Sequence, residues 1–523
     1  MLLKILLLAL FFAVTVIVGV VWRKSSSKSV DGFVLGGRKA GPWLSAFAYG
    51  TSYFSAVIFI GYAGQFGWKY GVSATWIGIG NAIIGSMIPW LLLGRRTRSM
   101  TQSLGSATMP DYFGKRFDSK SLRVVASLIV FIFLIPYTAS LYNGLSRLFE
   151  MAFGIDYIWC VVGMAVLTGI YVVLGGYMAT AINSFIQGII MLIGIVAVVI
   201  AVLNANGGLT AAVQKLAEVP VENGPAGSFA SLFGPQPLYL LGVVLLTSLG
   251  TWGLPQMVGK FYAIKDENAI KRGTTISTIF AIIVAGGCYF LGGFGRLYGD
   301  VIERVPAGAP NAGAPIFDSI VPKMLSTIPS DLIIAIVVVL VFSASMSTLS
   351  SLVLTSSSTL TLDMIMPATK KTDVKTREKK QLLSIRILLV FFIVVSAAIA
   401  IVQAKSSVTF IAQLMGISWG ALAGAFLAPF LYSMYSKKIS KAAVWVSFIC
   451  GVGIMVAQMA CTASGITFEN PVLNYFNNPI NAGVLAMVAG LILVPVVSAF
   501  TKSKTTDDVN KAFDRYKKYK LTR

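Results

Sequence analysis

A helix that crosses a bilayer needs roughly 20 mostly apolar residues. Thirteen runs of the 523-residue chain meet that requirement: 2–22, 42–66, 72–94, 124–146, 157–176, 181–203, 237–258, 273–295, 332–361, 387–403, 407–435, 442–461 and 480–500. A chain built this way is predicted to be an all-α, multi-span membrane protein. The first run has the position of a secretory signal peptide. It is longer than the usual apolar core of one, and no small-residue cleavage site precedes Arg23-Lys24, so it reads as a retained helix.

Only 12% of residues are charged, about half the share usual in soluble domains, and 56% are hydrophobic. The net charge is +22, a value that in a soluble protein would suggest nucleic acid. The placement of the basic residues gives another reading. Of the 42 Lys and Arg, 33 fall in loops that follow odd-numbered runs or in the tail, and 6 fall on the opposite side. Cytoplasmic loops carry such an excess. The predicted protein is therefore thirteen-span, with an external N-terminus and a cytoplasmic C-terminus, in the plasma (inner) membrane, and no nucleic-acid partner is expected.

The chain has no histidine, which removes His-based metal sites, triads and proton relays. Cys160, Cys288, Cys450 and Cys461 sit in apolar runs with no CxxC pair and read as small buried hydrophobes. No phosphate-binding GxxxxGK[ST] loop occurs, and the tail 501–523 is too short for an added ATPase domain. No Ser/His pair, HExxH or paired intramembrane Asp points to an enzyme, and none is predicted.

Carboxylates and lysines are absent from the thirteen runs after Lys4. Hydroxyl, glycine and proline residues stand there instead. Run 2 contains Ala48-Tyr49-Gly50-Thr51-Ser52-Tyr53-Phe54-Ser55-Ala56, and run 7 contains Thr247-Ser248-Leu249-Gly250-Thr251-Trp252-Gly253-Leu254-Pro255-Gln256. Segments this rich in Gly, Ser and Pro either allow close helix packing or interrupt the helix. An interrupted helix frees carbonyls and half-helix ends to face a solute. Each segment opens a block of five runs, which predicts a 5+5 inverted-repeat core with spans 2 and 7 broken. The predicted divisions are 1–41 (first span and loop), 42–206 (first repeat), 207–236 (external loop), 237–436 (second repeat), 437–500 (spans 12 and 13) and 501–523 (tail).

Run 9 carries Ser343-Ala344-Ser345-Met346-Ser347-Thr348. Hard cations favour oxygen ligands, and carbonyl dipoles can replace a hydration shell without a carboxylate. The other fate of these hydroxyls is a bond back to their own helix.

Taken in order, several pieces resemble the sodium:solute symporter family, its proline-transporting branch most closely. They are Leu35-Gly36-Gly37-Arg38, Ser45-Ala46 through Gly64, Met109-Pro110-Asp111-Tyr112-Phe113-Gly114-Lys115-Arg116-Phe117, Gly175-Gly176-Tyr177-Met178-Ala179 and Met346-Ser347-Thr348. The resemblance implies a symporter with thirteen spans. It implies a sodium site from the carbonyls of Thr51, Phe54 and Ala344 and the hydroxyls of Ser347 and Thr348. It implies a solute cavity lined by Tyr53, Ser55, Tyr137, Thr247, Thr251, Trp252 and Pro255. Sodium would be co-transported with a small organic solute, an amino acid such as proline or a carboxylate such as pantothenate. No organic cofactor and no obligatory protein partner are implied.

The sequence departs from the family at informative positions. Asn183-Ser184 replaces the Thr-Asp that many members place near the sodium path, so Ser184 lacks that charge. Tyr53 stands where the proline branch has Asp, and Thr247 and Thr251 stand where it has Trp and Tyr. Tyr53 and Ile58 also replace polar residues used by sugar-transporting members. The alternatives are a proton-coupled or sodium-independent carrier of the same fold, and then a channel.

Overall fold

The computed structural model describes residues 2–26, 29–222, 224–308, 312–366, 373–404, 411–466, 470 and 474–521. Among these the chain is helical apart from loops and two isolated bridges, Ala40 with Ile264 and Arg304 with Pro315. Ten helices are long and apolar enough to cross a membrane, and a further pair bent by 42° makes eleven. All four cysteines are free, and Cys160 and Cys288 are buried.

The thirteen apolar runs group into fewer helices because two continue past their expected ends. α1 spans Leu2–Ser26 and α2 spans Val30–Leu35; α9 spans Tyr157–Ala205. At 1.5 Å per residue, 49 residues reach about 74 Å, more than twice a hydrocarbon core of about 30 Å. α9 thus holds runs 157–176 and 181–203, joined across Gly176, whose φ of 57° and ψ of −153° break the helical path. In the same way one helical path, Val57–Ser103, takes in the end of run 2 and all of run 3. Run 11 begins partly outside the described residues, and its helix, α17, is described over Ile411–Tyr435.

The two Gly/Ser/Pro segments do interrupt their helices. α3 (Pro42–Tyr53) stops at Phe54, which is extended (φ −102°, ψ 97°), before a π-helical stretch at Val57–Tyr62 and then α4 (Ala63–Tyr70). α11 (Pro237–Leu249) runs through a 3₁₀ turn at Gly250–Trp252 to Leu254, also extended (φ −80°, ψ 120°), and α12 (Pro255–Ala263) starts there. Pro255 sets this second break. It disfavours helical geometry at Leu254 and suits the first position of the next helix, where its missing N–H costs nothing.

The start of the first broken path and the end of the second are tied. Ala40 N–H donates to Ala263 O (3.1 Å), and Lys265 N–H donates to Ala40 O (3.0 Å). Beside them Arg38 donates to Ser106 O (2.7 Å), Tyr262 O (3.3 Å) and Thr101 Oγ1 (3.3 Å), and pairs with Asp31 at 3.8 Å. Burial pushes this guanidinium below its usual pKa, and Asp31 opposes the shift.

Around the breaks, α15 (Asp331–Thr359) packs on α9, α8 (Lys120–Phe153) and α1, while α13 (Glu267–Gly292) packs on α3 and α5 (Thr75–Ala82). α17 packs on α8, α18 (Lys441–Ala463) and α19 (Pro479–Phe500). Every residue from Val337 to Leu354 of α15, Val339 aside, is buried, including all of its hydroxyls in that stretch. Polar side chains inside a membrane helix face the bundle rather than lipid. By contrast α1 presents Leu3, Ile5, Leu6, Leu10 and Ile17 outward.

Charge is not confined to loops as fully as composition suggests. Lys260 is 4% exposed within α12, and Asp363 is 2% exposed at the end of the α15 path, where it accepts from Thr108 Oγ1 (2.5 Å). Lys260 lies two residues past the apolar run 237–258, and its burial comes from tertiary packing that no local pattern records.

Candidate functional site

α3 ends at Tyr53, so the carbonyl of Thr51 is among the last four of a helix and has no partner in its own ladder. It is turned toward α15. Thr348 Oγ1 lies 2.9 Å from it and Ser347 Oγ lies 3.1 Å from it. The same two hydroxyls each lie 3.1 Å from Ala344 O, one turn back in α15. Four oxygens from two helices thus converge in a fully buried spot.

Each hydroxyl carries one proton, so these four close approaches hold at most two hydrogen bonds at a time. Rotating the two protons outward, with a small expansion, would leave four oxygen ligands for a small hard cation. Both readings of the hydroxyls are therefore present in one arrangement: they bond back to their own helix, and they reach across to another.

Of the five expected sodium ligands, the structure brings together Thr51, Ala344, Ser347 and Thr348. Phe54 is the residue at which α3 ends; its N–H bonds Gly50 O at 3.0 Å and its ring stacks on Tyr53 at 4.3 Å. Among the described contacts, neither hydroxyl reaches the Phe54 carbonyl. Ser184 is buried in α9, and its hydroxyl has no hydrogen-bond partner. It lies one turn before Gly188, where a Cβ would be 3.0 Å from Thr51 Cγ2, so this face of α9 runs beside the oxygen cluster.

The expected solute-lining residues divide by whether their polar atoms are already used. Tyr53 Oη donates to Thr247 O at 2.6 Å, linking the two broken paths directly. Thr247 Oγ1 bonds back to Val243 O at 2.8 Å. Thr251 Oγ1 donates to Gly85 O or Ser248 O, both at 3.0 Å, and Trp252 Nε1 donates to Ile84 O at 2.8 Å. Those two side chains hold the π-helical turn Ile83–Met87 against the second break. Pro255 begins α12.

Tyr137 is different. It is fully buried, its hydroxyl is turned toward the side chains of Ser55 and Trp419, and its ring meets Trp419 edge-on at 6.0 Å. Trp419 Nε1 is buried beside that hydroxyl, and the Trp419 ring also lies against Tyr53 at 5.9 Å. Ser55, at the first break, is buried and accepts from Val57 N–H at 3.2 Å. Tyr137, Ser55 and Trp419 thus gather three polar side chains at the first helix break, an arrangement that can meet a polar ligand. Trp419 was not legible from sequence. It sits in an apolar run, and only the tertiary fold brings it to the break.

Several known proteins are similar to this chain. A family model described as Sodium:solute symporter family matches residues 33–451. A sodium/proline symporter of Staphylococcus aureus is 27% identical over 518 residues, covering 97% of this chain and 95% of that protein. The substrate-bound outward-open state of a Na+-coupled sialic acid symporter matches with a TM-score of 0.71 at 18% identity, over 96% of this chain and 99% of that one. The inward-facing conformation of Mhp1 matches with a TM-score of 0.51 at 14% identity, over 91% of this chain and 94% of that one. At these identities the two structures speak to the fold alone.

Proposed function

The chain belongs to the sodium:solute symporter family, and on that premise we propose that it uses an inward sodium gradient to import a small organic solute by alternating access. The four-oxygen cluster of Thr51, Ala344, Ser347 and Thr348 carries the proposal. Sodium there binds an α3 carbonyl and the α15 hydroxyls together, with the Phe54 carbonyl as a fifth ligand, and so fixes the end of α3. The solute lies against that same end, beside Tyr53, Ser55, Tyr137, Thr247, Thr251, Trp252 and Pro255, with Trp419 added as a wall. Each ligand then tightens the other by the same factor.

In this reading the thirteen apolar runs are thirteen spans. Spans 2–6 and 7–11 form the inverted repeats, the N-terminus is outside and the C-terminus is in the cytoplasm of a plasma membrane. The 33 basic residues on one side support that orientation. Proline is the first solute to try, on the likeness to the Staphylococcus aureus sodium/proline symporter. Tyr53, Thr247 and Thr251 give the pocket walls of their own, so pantothenate and lactate belong in the same trial.

Proteoliposomes of the purified chain test the proposal. An inward sodium gradient drives accumulation of labelled solute, and a pH gradient alone does not. The reverse result favours proton coupling, for which the uncharged Ser184 at the sodium path is the one supporting observation.

A further inference from the structure

A second chamber, mostly apolar but carrying several polar side chains, lies below the site, toward the side we assign to the cytoplasm. It is about 50 Å³ in volume and lies between α12, α15 and the loop that carries Thr108. Its α15 wall is Ser351, Leu354, Thr355 and Ser358. That spacing is one helical face, and it begins one turn beyond Ser347. Its α12 wall is Pro255, Gln256, Gly259 and Lys260, so Pro255 joins this chamber to the solute site above.

Several of the chamber's polar groups lack partners. Gln256 is 2% exposed, and neither its Oε1 nor its Nε2 is hydrogen-bonded. Ser358 Oγ and Tyr177 Oη are unbonded as well. Lys260 points its ammonium over the Tyr177 ring at 5.5 Å, and no ion pair to it is seen among the described residues. Such a cation at this depth is expensive without a counter-charge. Asp363, the buried acid of this region, is held by Thr108 instead.

We propose that this chamber is a release-side station for the solute, in which the Lys260 ammonium takes the solute's carboxylate and the Gln256 amide takes a neighbouring polar group. The proposal rests on the reading of the chain as a solute carrier and narrows the solute to one bearing a carboxylate. A water needs about 10–15 Å³ of such space. The chamber as it stands therefore admits a carboxylate head or a few waters, and the solute's remaining bulk stays above, by Pro255, until the inner side opens. The cation attracts the carboxylate out of the central site, and opening to water then screens the pair and frees the solute.

The test is protection of Lys260 in the full-length protein in nanodiscs. Reductive methylation with formaldehyde is followed at Lys260 and, as reference, at the exposed Lys441, by mass spectrometry. L-proline, pantothenate and lactate are the probes, with prolinamide as the uncharged control. At twice its dissociation constant, a carboxylate that fits slows methylation of Lys260 about threefold and leaves Lys441 unchanged, while prolinamide has no effect. Failure of all three carboxylates to protect, or equal protection by prolinamide, overturns the station. Sodium-driven uptake of the same compounds is measured beside it and judges the carrier reading separately: uptake without protection removes the station alone, and protection without sodium-driven uptake removes the coupling alone. For a protecting solute that is also carried, Lys260→Gln raises the half-saturation from the cytoplasmic face in counterflow about tenfold, the loss of one charge-assisted bond. The external value stays unchanged and Lys260→Arg restores the inner one. Equal shifts on both faces also overturn the proposal.

Discussion

The hydroxyl of Thr348 lies 2.9 Å from the carbonyl oxygen of Thr51, a contact between residues 297 positions apart in the chain. It joins the ragged end of one helix to the middle of another, and Ser347 duplicates it at 3.1 Å. Replacing both hydroxyls, as Ser347→Ala with Thr348→Ala, removes two of the proposed ligands. Sodium-stimulated uptake should be abolished while expression stays intact. Undiminished uptake by the double variant would move the sodium site elsewhere.

Tyr137→Phe deletes a buried hydroxyl turned toward Ser55 and Trp419. Those contacts are weak, so the melting temperature should fall only slightly. If the hydroxyl binds solute, half-saturation for uptake should climb about tenfold, the scale of one lost hydrogen bond. Unaltered uptake kinetics would place Tyr137 outside the pocket.

Gly85 leaves the space that Tyr53 occupies: a Cβ there would be 2.1 Å from Tyr53 Oη. Gly85→Ala should therefore break the Tyr53 bond to Thr247 O and lower both thermal stability and uptake. Adding Tyr53→Phe removes the atom that clashes most, leaving the ring's Cε1 and Cζ at 2.9 Å. The double variant should recover part of the stability lost by Gly85→Ala, as a thermal-shift measurement would register. Additive losses would mean that the two residues do not meet in this way.

Arg38 reaches three acceptors on two other segments. A planar fork can do this and a single ammonium cannot. Arg38→Lys should thus behave like Arg38→Ala, with both slowing turnover. Rescue by Lys would show that only the charge matters there. Burial lowers the Arg38 pKa and Asp31 raises it. A lowered pKa means that the folded state holds the proton less tightly than the unfolded chain, so stability would rise as pH climbs through that pKa. For an arginine that window lies well into the alkaline range, so the contribution should be flat through neutral pH.

Ser184→Asp returns a carboxylate to the face of α9 beside the oxygen cluster. The half-saturating sodium concentration should fall, at some cost in thermal stability because the position is fully buried. A rise in that concentration would exclude Ser184 from the cation's path.

The oxygen cluster proposed to hold sodium was approachable from the sequence because it depends on local features: a helix-breaking segment that frees the Thr51 carbonyl, and adjacent hydroxyls in α15. A family resemblance then paired the two segments. Tyr53, Thr247, Thr251 and Trp252 were legible as belonging to the breaks, yet not as partners of one another and of the turn at Ile83–Met87. Hydrogen bonds across the bundle leave no periodic trace. Trp419 and Lys260 were missed for related reasons. One looks like any large apolar residue in a span, and the other looks like the first loop residue after one. The count of helices differed because α9 and the path from Val57 to Ser103 stay helical through the points where hydropathy dips.

The pairing of Ala40 with Ala263 and Lys265 has a mechanical consequence. Ala40 lies two residues before α3, and Ala263 closes α12, so these ends of both broken paths share one joint. To swing apart they must give up two backbone bonds, a cost of about 1–3 kcal/mol. That is enough to keep a parted state to roughly one part in five to one part in 150, and small enough for ordinary thermal motion to cross. In the proposed carrier the joint would act as a detent, holding this end shut at rest and setting how much binding energy a cargo must supply to open it.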